Sequence, residues 1–263
     1  MNKEYFMRSR RWRPLRSVRG RLGALVWTGL AASGVGAGSG SPASPVPAEI
    51  ANYAEQSWIT ARSHYFHAPT SSVAAWQLGR ACFAWGDLQT NRIQRETIFA
   101  EGVAACRRSL ALHSNAAPAF YYLGMNLGKI ADLKRNLAAL GMVREVERCF
   151  EQARRLDERF SHAGPDRNLG LLYREAPGWP LSVGSKKLAR QHLQRAVDLA
   201  GDYPENRLNL AEAGVAWKDP ALVTNQCAAL ERIWPAARTN FVGVAWAGDW
   251  LDWEARRAAL CGR

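Results

Sequence analysis

A short motif that recurs at nearly even intervals constrains the fold of this chain more than any other feature of its sequence. The motif is a leucine, a small residue, two variable residues and an apolar residue. Its copies are Leu78-Gly79 with Cys82, Leu123-Gly124 with Leu127, Leu169-Gly170 with Tyr173 and, more faintly, Leu210-Ala211 with Gly214. Self-similarity at a period of a few tens of residues is typical of repeat proteins, whose units bury their apolar faces by stacking on one another. The sequence therefore predicts a stacked array.

The spacing of apolar residues after residue 48 is helical almost everywhere, and runs of β-branched residues with period two are absent. We therefore predict an all-α fold. Each of the first three motif copies is followed by a second set of small or apolar residues: Gly102, Cys106 and Ser109; Val146, Phe150 and Ala153; Ala189, Leu193 and Ala196. A small residue in the first helix lets the second helix approach closely, which predicts helix hairpins. An irregular helical bundle with chance similarities is the alternative.

This pattern resembles the tetratricopeptide repeat, whose first helix carries Leu-Gly and whose second helix carries Ala, Phe and Ala. The small residues at positions 79, 124, 170 and 211 are separated by 45, 46 and 41 residues, whereas that repeat has about 34. We place the excess between the two helices of each hairpin, in residues 86–97, 131–142 and 176–185. The expected fold is a tetratricopeptide-like hairpin array, an α-solenoid, with enlarged connections on one face.

Residues from about 70 to 235 also resemble the T component associated with tripartite ATP-independent periplasmic (TRAP) transporters. Residues 126–157, 164–200 and 202–213 carry this resemblance. It implies an exported, all-helical repeat protein with a ligand cavity or pore that serves a substrate-binding partner. Some members are lipoproteins, whereas this chain has no cysteine directly after its N-terminal apolar segment, so a lipid anchor at that point is not predicted.

The first 48 residues have a composition of their own. Eight Lys and Arg residues stand against Glu4 alone, and the short apolar run that follows gives way to Gly, Ser and Pro. That order is typical of a secretory signal peptide, and the run is too short and glycine-rich for a transmembrane span. We expect residues 1–48 to be a signal peptide and linker, residues 49–263 to form one helical-repeat domain, and the protein to reach the periplasm or cell envelope. An uncleaved signal anchor, the one membrane contact we expect, is the alternative.

The formal net charge of +12 does not predict nucleic-acid binding, because +7 of it lies in residues 1–48 and no continuous basic run follows. Five cysteines are compatible either with buried small apolar residues or with one disulfide. His64 and His67 are spaced like metal ligands but have no accompanying carboxylate. We expect no metal, no other cofactor and no catalytic group, so the chain is not predicted to be an enzyme.

Candidate binding residues come from the first helix of each hairpin, which lines a concave groove in the tetratricopeptide family. The positions that would face the groove are Trp76, Arg80, Phe83, Tyr121, Met125, Lys129, Arg167, Arg174, Glu175 and Glu212. Aromatic, apolar and basic side chains together suit a small amphipathic molecule, or a peptide carrying a carboxylate that arginine can bind. Packing between helices and solvated helix faces are the alternative roles.

Two apolar segments outside the motif need explanation. The loop Pro177–Gly184 is stiffened by two prolines, and its Trp179, Pro180 and Leu181 are predicted to form a lip over a ligand entrance or a docking point. The alternative is that Trp179 folds back and seals the core. Near the C terminus a stripe formed by Val242, Trp246, Trp250 and Trp253 predicts a helix that caps the array, with insertion into a membrane surface as the alternative.

The sequence therefore predicts an exported, non-enzymatic binding protein. The TRAP resemblance implies an accessory component of a solute transport system with a periplasmic solute-binding protein as partner. A general envelope scaffold that binds peptide segments of other proteins is the alternative function.

Overall fold

A computed structural model of the protein describes residues 47–134 and 137–262. Within these ranges the chain forms ten α-helices and no β-strand, which confirms the all-α prediction. The helices are α1 Ala48–His67, α2 Ser72–Leu88, α3 Arg92–Leu112, α4 Ala117–Lys134, α5 Leu137–Leu156, α6 Phe160–Glu175, α7 Lys186–Leu199, α8 Pro204–Ala216, α9 Pro220–Asn240 and α10 Val244–Cys261. None of these helices is long and apolar enough to cross a membrane. The predicted signal peptide and most of the linker lie outside the described residues.

Helices α2 to α9 form four hairpins, each made of two consecutive helices packed side by side. The first helices of the hairpins, α2, α4, α6 and α8, also contact one another in that order, which gives a helical array. The nine residues predicted for the seams of the first three hairpins, Gly102, Cys106, Ser109, Val146, Phe150, Ala153, Ala189, Leu193 and Ala196, are all buried. The predicted hairpin packing is therefore confirmed.

The small residues of the motif lie where the two helices of a hairpin come closest. A Cβ added at Gly124 would lie 2.9 Å from Phe150 Cε1, and one added at Gly170 would lie 2.6 Å from Leu193 Cγ. At Gly79 it would collide with the Sγ atom of Cys106. Because interiors are packed to crystal-like density, each seam tolerates no larger side chain at these positions.

The prediction of enlarged connections is wrong for the first two hairpins. Helix α2 ends at Leu88 and α3 begins at Arg92, and only residues 135 and 136 separate α4 from α5. The extra residues instead prolong the helices, since α3 has 21 residues and α5 has 20. The side chain of Asn91 accepts hydrogen bonds from the backbone N–H groups of Ile93 and Gln94 and so starts α3 early. Among the connections between the described helices, only residues 176–185 form a long loop, so these connections do not make a set of inserted loops on one face.

The C-terminal helix α10 closes the array as predicted. It packs against α8 and α9, and it also contacts α1, the first of the described helices. Trp253 is fully buried, and its Nε1 donates to Glu205 Oε2 over 2.9 Å. Trp246 is buried as well, whereas Val242 lies ahead of the helix and is exposed. The stripe therefore belongs mainly to the core, and its alternative role in membrane insertion is wrong.

The cysteines divide between the two roles that the sequence left open. Cys227 in α9 and Cys261 at the end of α10 form a disulfide, with their Cα atoms 5.5 Å apart. Cys82, Cys106 and Cys149 are free and buried. Burial raises the pKa of the Cys149 thiol to about 12, so this group stays protonated and unreactive at neutral pH.

Replacing Gly170 with Leu should lower the free energy of unfolding by about 1 to 3 kcal/mol or more, because the new side chain enters space held by Leu193. Gly141 is the matched control, since it is an exposed residue of α5 where an added Cβ meets no atom within 4 Å. Gly141→Leu should cause no loss of stability. Thermal and denaturant unfolding measure both. A Gly170→Leu variant as stable as the wild type would contradict the close packing of α6 against α7 at this position.

Removing the disulfide by the double change Cys227→Ser and Cys261→Ser should cost about 4 kcal/mol of unfolding free energy on the chain-entropy account. The two cysteines are 34 positions apart, so the bridge closes a long loop in the unfolded chain. Urea titrations with and without a thiol reductant provide the measurement. Reductant should destabilise the wild type and leave the double variant unchanged. A wild type that is insensitive to reductant would rule the bridge out.

Candidate functional site

Five of the predicted groove residues lie in the interior of the array. Relative exposure is 0% for Phe83, Tyr121 and Met125, 2% for Lys129 and 4% for Arg167. The Tyr121 ring meets the Phe160 ring edge-on at a centroid distance of 5.2 Å. In this structure these five residues do not line an open groove, and their positions fit the alternative role, packing between helices.

The charge of the buried Lys129 side chain in α4 is neutralised by a carboxylate of the preceding hairpin. Its Nζ lies 2.6 Å from Asp87 Oδ1 and 5.4 Å from the centre of the Phe83 ring. An uncompensated charge at this depth would be strongly unfavourable, whereas a paired and hydrogen-bonded one is tolerated. Lys129 therefore joins α4 to α2.

Arg167 holds an unusual turn at the start of α6. Ser161, His162 and Ala163 have φ angles of 55°, 56° and 57°, a left-handed conformation that costs roughly 1–2 kcal/mol for each residue with a Cβ. The guanidinium donates to the carbonyl oxygens of Ser161 and His162 and to Asn206 Oδ1, over 3.0 to 3.2 Å. These bonds satisfy carbonyls that the turn removes from helical bonding.

Arg174, Glu175 and Glu212 belong to an ion-pair network between α6, α8 and α10. Arg174 Nε lies 2.6 Å from Glu175 Oε1, and Glu212 pairs with both Arg174 and Arg256. Arg256 also donates to Glu205 Oε1 over 3.0 Å. Sequence reasoning missed Arg256, although its position three residues after Trp253 places both on one face of α10.

An open cleft lies between α1 and α2 and has a volume of about 1200 Å³. Trp76 and Arg80, two of the predicted groove residues, line it. Tyr53, Ile59 and Val73 supply apolar surface and are 36%, 45% and 52% exposed. A cavity of about 30 Å³ adjoins Arg80 and reaches Phe83. Of the ten predicted groove residues, the structure therefore brings Trp76 and Arg80 to the open cleft, with Phe83 behind them.

A buried aromatic ring supports the side chain of Trp76 in the wall of the cleft. Trp76 stacks on the buried ring of Tyr122, with centroids 6.1 Å apart and planes inclined by 2°. Burial raises the pKa of Tyr122 above its ordinary range, and the nearby charge of Arg80 acts against that rise. The contacts fix the Trp76 ring and place the Arg80 charge beside aromatic surface. This combination can bind an anionic group next to an apolar one.

Two histidines, His64 and His67, also line the cleft. His67 Nδ1 lies 2.8 Å from Ser63 O, which is a contact within α1. In the part of the chain that the structure describes, no group of three or more His, Cys, Asp or Glu side chains could hold a metal ion.

The loop between α6 and α7 projects from the array. Trp179 is 87% exposed and Leu181 is 67% exposed, and Pro180 is exposed beside them. The alternative in which Trp179 seals the core is therefore wrong. None of the residues that line the α1–α2 cleft comes from this loop, so these three residues do not cover that cleft.

His162 belongs to the left-handed turn, and its side chain is packed among aromatic rings. Its ring stacks on Tyr203 with centroids 4.4 Å apart and planes inclined by 15°. Burial, helped by the positive charge of Arg167, lowers the pKa of His162 to about 4. The imidazole is therefore neutral at physiological pH.

Comparison with known proteins supplies no relative, because no protein-family model matches the chain and no curated protein is significantly similar to it. The resemblance to tetratricopeptide repeats and to the TRAP T component stays a prediction. The geometry of the α1–α2 cleft is accordingly the main guide to function.

Lowering the pH from 6.5 to 4 should reduce the free energy of unfolding by about 3 kcal/mol through His162 alone. The unfolded histidine binds its proton near pH 6.5 and the folded one only near pH 4, so the unfolded state gains protons first as the pH falls. His162→Asn tolerates the left-handed backbone and should flatten this slope.

Urea titrations across this pH range measure the effect. His113→Asn is the control, because His113 is exposed at the end of α3, and it should keep the wild-type pH dependence. An unchanged slope in His162→Asn would show that other groups cause it.

Proposed function

We propose that the protein binds, without catalysis, an amphipathic ligand carrying a carboxylate in the cleft between α1 and α2. The observation that carries this proposal is the meeting of Trp76 and Arg80 on the wall of an open cleft of about 1200 Å³. Ligand sites for small molecules typically measure about 300–1,000 Å³. The cleft therefore has room for an elongated molecule or a short peptide.

The charge of the cleft favours an anionic ligand. Among the described residues that line it, Arg80 is the one permanently charged side chain, and neither Asp nor Glu is present. An arginine can bind a carboxylate through two parallel hydrogen bonds. Ile59 and Val73 would meet the apolar part of the same ligand.

The hydroxyl groups in the cleft fit binding better than catalysis. Ser57 Oγ donates to the carbonyl oxygen of Tyr53 over 2.7 Å, within α1. A nucleophilic serine needs its hydroxyl within reach of a base, whereas this proton satisfies a helix carbonyl. We infer that Ser57 is a polar wall residue of the cleft and not a nucleophile.

We further propose that this binding serves a TRAP-type solute transport system, with the chain exported to the periplasm or envelope and a solute-binding protein as partner. The sequence resemblance supports this context. The Cys227–Cys261 bridge also supports it, because disulfides persist in oxidising compartments. The alternative function is a scaffold that binds peptide segments. The size of the cleft is the observation that supports it.

Arg80→Gln should weaken binding of dansyl-undecanoic acid by roughly tenfold to a hundredfold, since a hydrogen bond between charged groups contributes about 1.5–3 kcal/mol. Fluorescence titration measures the affinity. The methyl ester of the probe should bind the wild type and the variant equally. Arg108→Gln, on the exposed face of α3, is the control and should bind the acid like the wild type. Equal affinity of the acid for the wild type and for Arg80→Gln would contradict the proposal.

Co-purification separates the two biological contexts. Capture of a periplasmic solute-binding protein by the full chain would support the transport role. Capture of unrelated envelope proteins through short peptide segments would support the scaffold role. The free peptides should then bind in the cleft and compete with that capture.

A further inference from the structure

In each of the four hairpins, the end of the first helix and the start of the second lie along one edge of the array. Helices joined by short connections run in alternating directions, so α2, α4, α6 and α8 are parallel and their C-terminal ends lie side by side. Two contacts cross between neighbouring ends: Arg92 Nη2 donates to Leu133 O, and Arg190 Nη2 donates to Asp219 Oδ2, both over 2.8 Å. We call this row the turn edge, and it comprises residues 87–96, 129–134, 174–190 and 215–220.

The turn edge carries the most exposed apolar side chains of the described residues. Trp179, Ile93 and Leu181 are 87%, 78% and 67% exposed. These are the three highest values among the large apolar residues that the structure describes. Val215, at the end of α8, is 48% exposed on the same edge. Exposing apolar side chains is unfavourable in water, so contact with another surface along this edge would cover the three most exposed of them.

The loop presents Trp179 on a braced backbone. Gly184 N donates to Pro177 O over 2.9 Å, and Leu181 N donates to Gly178 O over 3.1 Å. At its end, Ser185 N donates to Tyr173 O of α6 over 2.9 Å. The conformational entropy of this loop is therefore already lost on folding, so docking through Trp179 requires little further ordering.

The charge of the turn edge is positive. Its acidic groups are largely paired with cations of the same edge: Asp87 with Lys129 and Arg95, Glu96 with Lys134, Glu175 with Arg174 and Asp219 with Arg190. Lys186, Lys187 and Lys218 are exposed beside these pairs. An anionic partner surface would complement this distribution.

We propose that the turn edge docks on the surface of an anionic phospholipid bilayer, with Trp179, Leu181 and Ile93 in the interfacial layer and the lysines against the headgroups. Tryptophan favours this layer because its ring is apolar and its N–H is polar. The apolar side chains come from separate turns with polar residues between them. A fluid bilayer accepts such side chains singly, whereas a protein interface is built around a contiguous apolar core. The proposal is independent of the ligand cleft.

A fluorophore placed on the edge tests the docking. Leu181→Cys in the full chain is labelled with the environment-sensitive dye NBD, while the three free native cysteines are buried. Vesicles of equal parts phosphatidylglycerol and phosphatidylcholine should shift its emission to the blue and raise its intensity. Leu156→Cys is the matched control, since Leu156 is 40% exposed at the C-terminal end of α5, on the opposite edge. Its label should not respond.

Charge variants supply a second measurement. Lys186→Gln with Lys187→Gln should weaken vesicle binding about thirtyfold, because each lysine near an anionic surface contributes about 1 kcal/mol. Added salt should weaken wild-type binding in the same direction. Thermal unfolding should be unchanged, which separates lost docking from lost folding.

Three outcomes would overturn the proposal. The Leu181 label could stay silent on anionic vesicles, it could respond equally to pure phosphatidylcholine, or the Leu156 label could respond as strongly. A Leu181 signal seen only on addition of a protein partner would assign the edge to a protein interface instead.

Discussion

Close contact between the two helices of each hairpin is the constraint on which the array depends. At Gly124 and Gly170 one helix leaves no room for a Cβ atom against its partner, so each hairpin is a rigid pair that stacks on the next. Helix α1 contains no glycine, and its buried residues are Ile50 and Ala54. It packs less extensively on α2 than α3 does, which leaves the cleft open beside Trp76.

Paired charges occupy the side of the array that the sequence predicted to bind a ligand. Lys129 is neutralised by Asp87, and Arg256 is shared between Glu205 and Glu212. Removing one partner from such a buried pair is strongly destabilising. These residues connect first helices of successive hairpins, or α8 with α10, so the predicted binding positions help to hold the helices together.

Short-range patterns in the sequence predicted the helices, the seams and the capping role of α10. The early start of α3 depends on the cap at Asn91, which lies inside the segment that was predicted to be a connection. The cleft was predicted in part, through Trp76 and Arg80, since α1 lacks the repeat motif. Burial of Arg167 depends on contacts with residues 39 and 46 positions away. The pairing of Cys227 likewise requires the orientation of α9 against α10, which no local pattern encodes.

The contact between α1 and α10 has a consequence for how the molecule loses its structure. In an open repeat array each unit touches only its neighbours, so unfolding starts at either end and spreads inward one repeat at a time. Here the two ends touch each other, and fraying of one removes support from the other. The closure raises the mean sequence separation of native contacts, which slows folding. It also couples the first and last helices into one cooperative unit, so that hydrogen exchange in α1 and α10 reports a shared opening event.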